Sequence, residues 1–237
     1  MADMPQKPKR EIVVDALMRL AADRPWDDIE ITDIVQEAGI TLQEFRELFP
    51  SKGAVLGALS RMIDQQVLAG SSDDLAGEPA RERLFDVFMR RIDALTPYKA
   101  ALRRIAYAVR GEPLTLLALN GMALNSQRFM LAAAGIGTED SLGTLKLQGA
   151  VLAFANTLET WFEDDDPHLA RTMARLDREL RRGERIIERA EDVRRVTAPL
   201  RAIGQAIFDG RARMRRRSRP RPYDAQDGDT QDPAAAI

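Results

Sequence analysis

The chain has 237 residues, 45% of them hydrophobic and 30% charged, with a net charge of −2. That is enough for one large domain, or a small domain joined to a larger one. It has no cysteine and one histidine, which excludes disulfides and thiolate metal sites and leaves little room for histidine-based catalysis.

The N-terminal stretch MADMPQKPKREIVV lacks the long apolar run of a signal peptide, and no segment is apolar for the length of a bilayer. A cytoplasmic protein is expected. Residues 1–8 are expected to be a flexible N-terminus. The pattern then predicts an all-α chain. A first helix spans Lys9 to Asp23, with Ile12, Val13, Ala16, Leu17 and Leu20 at helical spacing. The segment RPWDDIE breaks it.

A short helix, a tight turn and a second short helix follow. Thr32 is placed to cap the first, with Asp33 favourable against its dipole. Ile34, Val35 and Ala38 supply its apolar side, and Gly39 suits the left-handed residue that ends it. Thr41 and Glu44 have the spacing of a capping box, flanked by Ile40 and Phe45 as a hydrophobic staple. Glu44 therefore has a structural reason to be there, whereas Glu47 is expected on the exposed side with Gln43 and Arg46. Phe45, Leu48 and Phe49 read as buried. Ser51 caps the next helix, Lys52 to Ala69.

The run GSSDDLAGEPA is rich in turn residues and is the best domain boundary. Further helices are predicted over Arg81–Leu95, Pro97–Arg110, Pro113–Ala134 and Leu142–Phe162, then Pro167 to about Val196 with a break near Gly183, then Ala198 past Phe208. Thr96-Pro97 and Asp166-Pro167 place proline at the first helical position after a capping residue. The expected organisation is a domain over 9–70, a helical domain over 79–210, and a tail over 211–237. That tail is arginine-rich, then polar and weakly acidic, and reads as disordered.

Thr32, Ala38, Gly39, Ile40, Thr41, Phe45, Phe49 and Lys52 together give residues 9–60 a pattern that resembles the N-terminal module of TetR-family transcriptional regulators. The resemblance implies an all-helical homodimer. Each chain would have a three-helix DNA module and a larger C-terminal domain for dimerisation and a small, largely apolar ligand. It further implies that the second motif helix enters the major groove of a double-stranded operator and that Lys52 meets phosphate. Thr32, Thr41, Gln43 and Arg46 complete the implied DNA-binding set. Two departures stand out. Arg46 replaces a tyrosine common in that family, and Glu47 and Leu48 stand where basic residues or histidine are frequent. A carboxylate can accept from cytosine N4, but residues 1–70 hold eight Lys and Arg against twelve Asp and Glu.

A second resemblance lies in the C-terminal half. Trp161, Asp164 to Asp166, Thr172, Met173, Leu176 and Asp177 are similar to a run in the TetR-fold accessory proteins of ubiquinone biosynthesis. That resemblance implies a lipid-binding protein without a DNA role, working at a membrane surface. Leu200, Ile203, Ile207 and Met214 fall near one helical face, with Phe208 beside it and arginines at the end. This composition fits a peripheral membrane helix, but a packed last helix followed by a basic tail accounts for it better. Tyr107, Met122, Phe129, Met130, Phe154 and Trp161 could line an apolar cavity or simply fill a core. His168 after three aspartates reads as a helix cap rather than a metal site. No phosphate loop, nucleophile set or catalytic carboxylate pair is found, so neither an enzyme nor a cofactor is expected.

Overall fold

The computed structural model describes residues 7–70 and 77–217, and for 194–217 the backbone course without the side chains. The proposed membrane-facing side chains Leu200, Ile203, Ile207, Met214 and Phe208, the linker residues 71–76 and the tail beyond 217 lie outside what is described.

The described residues are helical, with no strand. In order they form α1 (Lys9–Asp23), a 3-10 turn (Trp26–Asp28), α2 (Ile31–Ala38), α3 (Leu42–Leu48), α4 (Lys52–Ala69) and α5 (Ala80–Leu95). A second 3-10 turn (Thr96–Tyr98) leads into α6 (Lys99–Val109), α7 (Pro113–Ala133), α8 (Gly143–Phe162) and α9 (Ala170–Arg217). The bounds of α1 and α4 coincide with those expected. The start of α9 does not. Asp166 takes backbone donors of His168 and Ala170 instead, so Pro167 lies in a turn and the helix begins three residues later. Nor does α9 break at Gly183. A glycine costs a helix only about 1 kcal/mol, and Leu176 and Leu180 hold the preceding turns in the core.

By contacts the chain divides at Ala190 and Glu191. In the first unit, one apolar core runs from Val13 of α1 to Leu180 of α9, with Phe88, Ile92, Met130 and Trp161 among its largest fully buried side chains. Its two halves are joined by α1, which packs on α2 and α4 on one hand and on α6 on the other. The Tyr98 hydroxyl strengthens that joint by donating to Asp15 of α1 at 3.0 Å. α4 in turn packs on α5 and α7, and α7 on α8. Gly143 permits the turn into α8, because a Cβ there would lie 1.7 Å from the Thr138 carbonyl oxygen. Among the described residues no helix is long and apolar enough to cross a membrane.

A buried polar cluster links α4, α5 and α7. Arg91 of α5 pairs with Asp64 of α4, and the Ser126 hydroxyl of α7 donates to the same carboxylate at 2.8 Å. The Arg91 guanidinium also lies over the Phe154 ring of α8, 5.3 Å from its centre. A carboxylate so placed is tolerable only while its charge is paired.

Candidate nucleic-acid interface

The turn between α2 and α3 is set by three local devices. Gly39 ends α2 with φ of 65°, the left-handed region that glycine enters without strain. The Glu44 amide donates to the Thr41 hydroxyl at 3.2 Å, and the Thr41 amide donates to Glu44 at 2.7 Å, completing the expected capping box. Glu44 also receives Lys9 of α1 at 2.6 Å. These partners, Lys9 first, hold its carboxyl down at about 2. The carboxylate thus ties α3 to α1 and does not stand free at the surface.

The cap of α2 differs from the expectation. Glu30, not Thr32, is the capping residue, and its amide donates to Asp33 at 2.9 Å. Thr32 sits inside the first turn and is exposed. The Glu30 amide, followed by Arg24, keeps the Asp33 carboxyl below the usual carboxylate range.

Phe45 and Phe49 turn inward from α3 and its end, with ring centres 5.8 Å apart. Thr41, Leu42, Gln43, Arg46 and Glu47 are exposed, so the helix presents one polar face with a leucine at its start. Gln43 donates to Glu47 at 3.2 Å, four residues on. Arg46 has no ion pair or hydrogen bond among the described residues, which leaves its guanidinium available.

Lys52 stands elsewhere. Its ammonium donates to the carbonyls of Trp26 at 2.6 Å and Ile29 at 2.8 Å, and lies 4.3 Å from the centre of the Trp26 ring. These bonds fasten the first 3-10 turn to the start of α4 and take up two of the three donors, so the expected phosphate contact is not the arrangement this side chain adopts. Other cations of the module are engaged too. Lys7 pairs with Asp15, Lys9 with Glu44, Arg19 with Glu37 and Arg24 with Asp33.

A TetR transcriptional regulator from Nitrosomonas europaea superposes with a TM-score of 0.60 at 20% identity, covering 75% of this chain and 99% of its own. A TetR transcriptional regulator from Rhodococcus sp. gives 0.56 at 16%, covering 74% and 95%. A TetR-family regulator from Streptomyces coelicolor gives 0.52 at 17%, covering 84% and 99%. The chain has the TetR fold. No protein-family model matches the sequence, and no curated protein matches it.

Within this TetR fold the six expected ligand residues have different surroundings. Met130, Phe154 and Trp161 are core, with Phe154 packed on Phe88 at 5.0 Å between ring centres. Tyr107 and Phe129 are exposed. Met122 packs against the same core and lines a cleft between α7 and the helix-turn-helix module. The run from Trp161 to Asp177, expected to resemble the ubiquinone accessory proteins, is structural in large part. Asp164 accepts the amide and hydroxyl of Thr172 at 2.9 and 2.7 Å, closing the first turn of α9. The Thr172 hydroxyl is the foremost cause of the lowered Asp164 carboxyl, against the opposing effect of burial. Asp177 pairs with Arg81 of α5 and with Arg181, and Leu176 is buried.

Sequence reasoning passed over the Asp64–Arg91–Ser126 cluster. One signal was present: Asp64 is the only acidic residue of α4 and follows directly on Ile63, a core position of that helix.

Proposed function

We propose that this chain is a DNA-binding transcriptional regulator that acts as a homodimer under the control of a small ligand. The observation that carries the reading is the outward face of α3. It follows a turn fixed by Gly39 and the Thr41–Glu44 box, and it offers Gln43 and an uncommitted Arg46. Arginine reaches guanine O6 and N7 or a phosphate, and glutamine reads adenine. The likeness in fold to TetR regulators supports the same reading. In this reading a dimer sets two such helices at a half-site spacing, and a ligand that prefers a misfitting form empties the operator. Thr32 and Thr41 serve the surface around α3, and Lys52 acts by positioning the module.

The test is a titration of the full chain with labelled duplex from its own upstream region and with a scrambled duplex, at two salt concentrations. Preference for the native fragment that survives added salt is expected. Weak, equal binding that vanishes with salt would refute the reading for that fragment.

A second reading is a TetR-fold lipid-binding protein that assists ubiquinone biosynthesis and touches a membrane peripherally. What favours it is the commitment of the module's cations to its own carboxylates. The same titration separates the two, and lipid recovered from the purified protein would support the second.

A further inference from the structure

We propose that the cleft between the helix-turn-helix module and α7 is a binding site for a small organic anion with a short apolar body. The proposal deepens the regulator reading by placing its effector, and it rests on that reading for its consequence though not for the binding. The cleft encloses about 360 Å³ and draws its walls from α1, the end of α3, α4 and α7. Ligand sites begin near this size, at roughly 300 Å³.

Charge defines the class of ligand. Four cations of the module are neutralised by carboxylates and Lys52 by carbonyls. Arg10 and Arg61, which both line the cleft, form no carboxylate pair among the described residues. Arg10 rests on the Phe49 ring at 5.1 Å. Arg61 folds back over α4, its Nη1 3.9 Å from where a Cβ on Gly57 would stand. The one carboxylate at the cleft, Asp64, is already satisfied by Arg91 and Ser126. Two guanidiniums without an anion make a carboxylate or sulfonate site, since each offers paired donors of fixed geometry.

The remaining lining suits an apolar body with a polar edge. Phe49 and Met122 face it, and methionine adapts to irregular shapes. Ser60 and Asn125 offer a hydroxyl and an amide. At Gly57 a Cβ would lie 3.1 Å from the Met122 sulfur, so a side chain there would push on Met122 at the cleft wall. A ligand seated here touches the module and α7 together, so its occupancy resists any movement of one against the other.

The test is calorimetric titration of the full chain with octanoate, in the absence of DNA. Saturable binding of one molecule per chain is expected. Arg61→Gln and Asn125→Trp, both at exposed positions, should each weaken it at least about tenfold, and Leu117→Ser, on the exposed side of α7 outside the cleft, should leave it unchanged. Melting curves confirm that each variant is folded. No binding up to roughly 10 mM, or equal binding by all four proteins, overturns the site. Because DNA takes no part, octanoate binding by a chain that fails to recognise its operator would uphold the cleft and sink only the regulator reading.

Discussion

Glu44 shows how much one side chain can be asked to do. The folded chain holds its carboxyl at about 2, against an ordinary value of 4.5, with Lys9 the largest cause and Thr41 next. The unfolded chain takes up that proton near 4.5, so the stability these bonds contribute is complete above that pH and is lost as pH falls toward 2. Glu44→Gln should therefore flatten the fall in urea midpoint between those two values. Parallel curves for the two proteins would show that the carboxylate is not held this way in solution. Lys52 makes the opposite point about reach. Its ammonium binds carbonyls 23 and 26 residues away, and no local pattern could have shown those partners. Lys52→Ala should cost about 1–2 kcal/mol of stability and leave the salt dependence of any DNA binding unchanged. A salt slope reduced by about one, with stability intact, would restore the phosphate role. Arg46 is the contrasting case. Arg46→Ala should change which bases are preferred, and a loss uniform across sequences would refute base reading there.

At the scale of elements, local signals were legible where the sequence itself supplied both the helix and its stop. Lys9–Asp23 and Lys52–Ala69 came out as expected because apolar spacing ran up to RPWDDIE in one case and began at the Ser51 cap in the other. Gly39 and the Thr41–Glu44 box were readable for the same reason: every partner lies within a few residues. Less legible were the surroundings of single side chains that depend on tertiary packing. The spacing of Met130, Phe154 and Trp161 cannot distinguish a cavity wall from a packed core, and all three are core. Thr32 was a plausible cap by residue type, yet the helix begins two residues earlier and Glu30 takes that place. The buried cluster of α4, α5 and α7 needed three helices brought together. Arg91→Ala would strand Asp64 without its counter-ion and should destabilise the chain by about 3 kcal/mol, read from chemical denaturation. An unchanged midpoint would mean that water reaches Asp64 freely.

For the molecule as a whole, the exposed apolar side of α8 bears on assembly. Leu145 and Leu152 are two turns apart and 40% and 56% exposed, and a second copy of the chain would cover them. If the proposed homodimer uses this face, Leu152→Arg should lower the mass measured by light scattering from dimer to monomer, and an unaltered mass would refute α8 as that face. The packing of α1 has a different reach. A helix that serves two neighbourhoods at once belongs to neither, and α1 lies against α2 and α4 as well as α6. Cutting the chain after residue 70 would uncover the side of α1 that faces α6 and the sides of α4 that face α5 and α7. The segment that carries the helix-turn-helix is thus no detachable reading head. It melts when the rest melts, and heating should produce one calorimetric peak across the first unit, not an early one for the module followed by a later one for its support.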